Sequence, residues 1–333
     1  MNLNDIGYIN RNDEIQEVIW FGYNKREPFF IFRNISLNFN EWYGLTFGNE
    51  RRYLGGNFNF QGMFVNYWSL GGGISRDGKS ISTETLRGGP SLVYDGATDV
   101  WGNINTDYRK KINFYFNFYS DFRDFGIAES ESYTFGTNFQ VSNRLKLSAE
   151  PGYTIRYDKI DYVKTLDDMA DPRYIRGKIN QKTLSMTLRL NYSITPDFTV
   201  QFYAMPFISA GKYSDFKYIS NAGSSEFNDR YISYDENQIS YDQAGDQYNI
   251  DENTDGKTDY SFDQPNFNIY DFNANLVIRW EYLPGSTLFL VWSQNRNTSD
   301  SGGNFVFKDD VNTLFDRFPA DVFLVKLSYR FGL

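Results

Sequence analysis

Oxygen side chains crowd the run Asp251-Glu252-Asn253-Thr254-Asp255-Gly256-Lys257-Thr258-Asp259. Asp251, Asn253, Asp255 and Asp259 fall at relative positions 1, 3, 5 and 9, and Gly256 at position 6 allows the tight turn that a calcium loop requires. These four residues are the candidate ligands for a Ca2+ ion. The pattern departs from a full calcium loop at position 12, where Phe262 stands in place of a bidentate Glu and Asp263 follows one residue later. An acidic turn without a cation is the competing reading.

Tyr213, Phe216, Tyr218, Tyr231, Tyr234, Tyr241 and Tyr248 alternate with Asp, Asn and Ser. Such rings can stack on sugar faces while carboxylates accept sugar hydroxyls, or they can pack on one another. Leu86-Arg87-Gly88-Gly89-Pro90 fixes a backbone shape and leaves Arg87 able to pair with a carboxylate such as Glu281. Arg189, Arg279, Lys326 and Arg330 line one strand face, where they either tune ion passage or are neutralised by Glu150 and Glu281. The chain has no His and no Cys. That excludes Ser-His-Asp and Cys-His catalysis, thiol nucleophiles, disulfides and Cys/His zinc sites. Paired carboxylates, a Ser-Lys arrangement and oxygen-ligand metals are the chemistry that remains. No catalytic and no cofactor-binding constellation emerges, so the enzyme question stays open for the chain itself and leans to no. Its charge of -9 argues against nucleic acid as a partner, since gripping phosphates takes a basic face.

These residues need a scaffold, and its signal is a period of two. In the last strand, Val322 to Phe331, the residues Phe323, Val325, Leu327, Tyr329 and Phe331 alternate with Leu324, Lys326, Ser328 and Arg330. Leu184, Met186, Leu188, Leu190 and Tyr192 oppose Thr183, Ser185, Thr187, Arg189 and Asn191 just as regularly. Similar runs cover Glu14–Tyr23, Ile31–Phe39, Phe58–Trp68, Lys111–Tyr119, Tyr133–Val141, Leu145–Tyr153, Phe198–Ala204, Phe272–Glu281 and Leu288–Gln294. Arginines and carboxylates on the polar face would be costly in a dry core but not in a wet lumen. Aromatic residues make up 19% of the 333 residues, yet mean hydropathy is -0.55. No apolar run reaches the length of a membrane helix. A membrane barrel, half apolar along each strand and girdled by Tyr and Trp, accounts for both. A large soluble β domain is the alternative.

The joints Ser142-Asn143-Arg144, Thr195-Pro196-Asp197 and Leu283-Pro284-Gly285-Ser286 are tight, and the stretches Asp158–Asn180, Ser209–Asn266 and Asn297–Ala320 between them read as long loops. Alternating short turns and long loops is the habit of bacterial outer-membrane barrels, with the short turns periplasmic. The expected fold is therefore all-β: one domain over residues 1–333, an antiparallel transmembrane barrel of the bacterial outer membrane with about 12 to 14 strands. Residues 69–107 resist strand assignment. The start, Asn2 to Asp13, has no secretory-signal character, so the chain is expected to be either a mature protein or, the favoured reading, the carboxyl-terminal part of a longer one.

The hairpin Arg279-Trp280-Glu281-Tyr282-Leu283-Pro284-Gly285-Ser286-Thr287-Leu288-Phe289-Leu290-Val291-Trp292-Ser293-Gln294 resembles the signature of a barrel family, domain of unknown function 5916. Asn4-Asp5-Ile6-Gly7-Tyr8, Leu86 to Pro90, Gln201 to Phe207 with Gly211-Lys212-Tyr213, and Phe323 to Tyr329 are similar to it in the same order. The resemblance implies a barrel preceded by a family-9-like carbohydrate-binding domain, and carries no catalytic residue. It implies further that this chain is the carboxyl-terminal part of such a protein, lacking that domain and the first strands, which would leave the last strand an exposed edge. The expected function is an outer-membrane barrel that anchors or serves a carbohydrate-handling surface protein. Its expected partners are outer-membrane lipid, glycans at the extracellular loops and that carbohydrate-binding domain. Part of a membrane-associated glycoside hydrolase, or a passive diffusion pore, are the alternatives.

Overall fold

The computed structural model describes residues 13–169 and 171–331, so Asn4–Tyr8 and the terminal Gly332 and Leu333 lie outside the described residues. Strands β1 (Ile15–Lys25), β2 (Phe32–Leu45), β3 (Arg51–Phe64) and β4 (Ser69–Asp77) open the chain. A small ribbon, β5 (Ser80–Ser82) with β6 (Leu92–Tyr94), interrupts the passage to β7 (Ala97–Asn105). Then come β8 (Ile112–Arg123), β9 (Ala128–Ser142), β10 (Leu145–Leu166), β11 (Arg173–Thr195) and β12 (Phe198–Ile219). The next connection holds α1 (Phe227–Arg230), β13 (Tyr231–Ser233), β14 (Ile239–Asp242), β15 (Gln247–Ile250) and β16 (Tyr260–Asp263). Finally β17 (Phe267–Leu283) and β18 (Ser286–Asp300) lead through α2 (Phe307–Asp316) to β19 (Ala320–Ser328).

One antiparallel sheet runs β1-β2-β3-β4-β7-β8-β9-β10-β11-β12-β17-β18-β19, with β13 added alongside β12. Strands neighbouring on this path follow one another in chain order, and the long connections β4–β7 and β12–β17 also return the chain to an adjacent place. Among the described residues β1 and β19 are not paired with each other, so the sheet stays open. No helix among them is long and apolar enough to cross a membrane.

Register gives the sheet two chemically distinct faces. Leu147, Leu190, Phe202, Leu276, Trp292 and Phe323 come level across adjacent strands. One residue along, Ser148, Arg189, Tyr203, Asn275, Ser293 and Val322 form the corresponding row of the opposite face. Phe21, Phe39, Phe58 and Ile74 extend the apolar face through β1 to β4. That face is largely uncovered: Phe21 is 68% and Phe323 77% exposed. The other face is stitched by side-chain hydrogen bonds such as Asn40 to Asn57 (2.6 Å), Trp101 to Asn59 (3.2 Å) and Ser293 to Asn275 (2.6 Å).

Asn143-Arg144, Pro196-Asp197 and Pro284-Gly285 are indeed two-residue turns at one end of the sheet. At the other end the strands outrun the sequence pattern. Asp158–Asn180 is mostly strand, because β10 continues to Leu166 and β11 begins at Arg173. Bulges between Asp158 and Asp161 and between Tyr162 and Lys164 break the alternation that would have revealed it. Likewise β12 continues past Ser209 to Ile219, and β18 past Asn297 to Asp300. Residues 69–107 supply β4 and β7 to the sheet, and Trp68 lies in the turn before β4 rather than on the strand of Phe58. The last strand ends at Ser328, after which Tyr329 packs edge-on against Phe331 at 4.8 Å.

Candidate functional site at the long-loop end

All three clusters of buried apolar residues involve the elaborated end of the sheet, where the long connections fold. The segment between β4 and β7 leaves its own strands and crosses to β11 and the β12–β17 connection. Leu86 and Leu92 are buried with Ile127, Ile160 and Ile219. Arg176 donates to Thr85 O (2.7 Å), Val93 N–H to Ala222 O (2.9 Å) and Lys79 to Ser225 O (2.6 Å). The pair Arg230 and Asp95, with both side chains 1% exposed, locks the crossing. Leu86–Pro90 owes its shape to Gly88, whose φ of 105° is in the left-handed region. Arg87 stacks over the Tyr162 ring at 3.7 Å. The pairing of Arg87 with Glu281 is not formed, because Glu281 sits by the short β17–β18 turn, where it accepts Arg279 (2.6 Å) and Gly285 N–H (2.9 Å).

The three-stranded sheet β14-β15-β16 docks beside this strap. Ile250 and Phe262 are buried against Ile175 and Phe216. Its polar anchor is a fork: Arg173 Nε and Nη2 donate to the two Glu252 oxygens at 2.8 and 2.9 Å, and the Tyr260 hydroxyl donates to the same carboxylate. Arg173 holds the Glu252 carboxyl below the usual carboxylate range, and the same fork raises the guanidinium. A carboxylate so held is an acceptor at neutral pH, not a general acid.

The four expected ligands share one turn beside that anchor. Asp251 accepts the N–H groups of Asp255 (3.1 Å) and Gly256 (2.7 Å), and Asn253 also accepts Asp255 N–H (2.8 Å). Asp255 accepts Lys257 N–H (2.9 Å), and Asp259 accepts Glu252 N–H (2.8 Å). The turn is thus closed by its own amides. Among the described residues no three acidic side chains converge as a metal site would need. Phe262 is core and Asp263 leans to Lys164 at 3.7 Å, so neither completes the twelfth position.

Among the loop aromatics, Phe216, Tyr231 and Tyr234 are buried and Tyr213, Tyr218 and Tyr248 pack against the buried clusters. Tyr241, 44% exposed, still contacts Tyr248 at 5.1 Å between centroids. On the polar face Arg156 bridges Asp158 (3.1 Å) and Asp161 (2.6 Å), and the Tyr213 hydroxyl donates to Asp161. Of the four cations expected there, Arg279 is neutralised by Glu281, Arg189 stacks over Tyr203 at 4.8 Å, and Arg330 is held by its backbone N–H on Ser286. Lys326 lies opposite Phe289 in the β18–β19 register. Glu150 accepts the Tyr115 hydroxyl instead of a cation.

The sequence reading missed α2, although Phe307, Val311, Leu314 and Phe315 have helical spacing. The helix lies on the apolar face, with Leu314 buried against Ile208 and Tyr270, and Phe315 packed on Phe272 at 5.3 Å. Asn268 holds the segment before it, accepting Gly303 N–H (2.6 Å) and donating to Asn304 O (2.8 Å). Gly303 has φ 73° and passes so close to the Gly211 carbonyl that a Cβ there would lie 3.0 Å from it.

No curated protein and no solved structure matches the chain. One family model does, described as a domain of unknown function (DUF5916), and it matches residues 1–331.

Proposed function

The chain belongs to the DUF5916 family, and from that premise we propose that it is an outer-membrane β-barrel domain serving a carbohydrate-handling surface protein. The observation that carries the membrane part is the two-faced sheet. An apolar face that continues across strand after strand and stays uncovered is far larger than the scattered patches soluble monomers expose. Lipid is the partner that satisfies it, while the hydrogen-bonded Asn, Tyr and Arg face lines the inside. The two-residue turns at one end and the elaborated connections at the other support periplasmic and extracellular placement respectively. In this reading the strap, the β14–β16 sheet and the loop tyrosines form the extracellular surface available to glycans.

Refolding tests the membrane part. In dodecyl maltoside the protein should regain β circular dichroism and run as a faster, heat-modifiable band on an unboiled gel. A protein that folds and stays monodisperse without detergent would sink it. For the carbohydrate part, immobilised glycans should retain the folded protein, and failure across a broad glycan panel would remove that part alone.

A further inference from the structure

The apolar face changes character abruptly near α2. Tyr153, Leu184, Ile208 and Tyr270 form one level row across β10, β11, β12 and β17. The next row toward the long-loop end is Ile155, Lys182, Ala210 and Asn268, and the next brings Tyr157, Asn180 and Lys212 level. Two residues of strand span about 7 Å, so a greasy surface gives way to two lysines within roughly 7 to 13 Å.

Two pockets straddle that boundary. Below it, α2 roofs a cavity of about 320 Å³ lined by Pro151, Leu184, Met186, Ile208, Val311 and Leu314. Above it, a pocket of about 300 Å³ is lined by Lys182, Lys212, Asn180 and the backbone turn at Gly303 and Asn304. Both lysines are exposed, and neither has an ion-pair partner among the described residues. The same rows continue onto β9 with Glu131, level with Ile155, and Glu129, level with Tyr157, each two strands or more from the lysines. Glu131 accepts the Tyr133 hydroxyl (2.8 Å), Asp310 accepts Tyr270 (3.0 Å) and Val306 N–H (2.7 Å), and Asp300 accepts Gly302 N–H (2.9 Å). A cavity lined by apolar side chains apart from Ser185, set beside cations that form no ion pair among the described residues, is complementary to one kind of molecule, an anionic amphiphile.

We infer that this end of the apolar face holds one anionic phospholipid, its acyl chain under α2 and its phosphate at Lys182 and Lys212. The inference rests on the membrane reading above and adds a specific lipid site to it. Asn268 and Gly303, which pin the segment leading to α2, act as positioning residues for that site.

The test uses the whole chain refolded in dodecyl maltoside and incubated with phosphatidylglycerol or phosphatidylcholine of identical acyl chains. Native mass spectrometry then counts the lipid kept after detergent washing. Phosphatidylglycerol should be kept roughly thirtyfold better, the scale expected for two lysines facing an anionic headgroup. K182Q/K212Q, which alters only exposed side chains, should erase the preference, and V311W, which fills the cavity, should lower retention of both lipids. Equal retention by the unaltered chain, or a preference that survives K182Q/K212Q, overturns the inference. A chain that folds only in detergent yet shows no preference defeats this site alone. One that is monodisperse without detergent defeats the membrane reading with it.

Discussion

At the scale of single residues, the most informative side chain of the acidic turn is Glu252, the one its calcium-like spacing left out. Its partner, Arg173, is 79 residues away in sequence, so no local pattern could announce the fork. Arg173 depresses the Glu252 pKa most, burial opposes it, and the Tyr260 hydroxyl depresses it further. A carboxylate depressed in the folded state contributes stability that is fully present above its unfolded pKa of about 4.3. That stability is lost as pH falls through the lower folded value. Amide exchange in residues 247–263 should therefore be flat from pH 7 to 5, once corrected for intrinsic rate, and accelerate below it. Glu252→Gln should accelerate exchange already at pH 7, by about 1.5 to 3 kcal/mol of local stability, the range for hydrogen bonds to charged groups. Unchanged exchange in the variant would mean the apolar contacts of Ile250 and Phe262 hold the sheet alone.

Among elements, legibility followed covering. Strands with one apolar face and one polar face, such as Leu184–Tyr192, show themselves by alternation. Where β10, β11 and β12 continue past the bulges, the strap and the β14–β16 sheet cover them, the alternation dissolves, and strand reads as loop. The helix α2 is legible in its spacing, but the Gly, Asn and Asp residues around it give the stretch Asn297–Ala320 the pattern of a loop. For β14–β16, the turn at Asp251–Asp259 is closed by the backbone N–H groups of Glu252, Asp255, Gly256 and Lys257. EDTA should accordingly leave its amide protection unchanged. A loss of protection on chelation, restored by added Ca2+, would show that Asp251, Asn253, Asp255 and Asp259 hold the cation their spacing suggests.

For the molecule as a whole, the strap joins strands that the sheet keeps far apart. From β7 to β12 there are five strand spacings, about 24 Å across a flat sheet. The Arg230–Asp95 pair fastens that bridge in a dry environment, where removing Arg230 leaves the buried carboxylate only the more distant Lys79 at 3.8 Å. Arg230→Ala should cost about 3 to 5 kcal/mol and expose residues 78–96 to proteases, while R230M/D95L should cost much less. Equal sensitivity of the two variants would show that packing of Leu86 and Leu92, rather than charge, secures the strap. The two-faced sheet was readable from the sequence in outline, because register only has to bring period-two strands level. The strap was not, since its contacts join residues about 90 to 140 positions apart, such as Arg176 with Thr85 and Arg230 with Val93.

The open sheet has a directional consequence. Among the described residues neighbouring strands alternate in sense from β1 to β19 along a path of thirteen, so the two edge strands point the same way. Joined directly, they would form a parallel seam with slanted hydrogen bonds in a sheet whose other pairs are antiparallel. An antiparallel seam takes an odd number of strands laid between them. A single strand running against both edges would pair with β1 and β19 at once, and would bring the path to the even number of bacterial barrels.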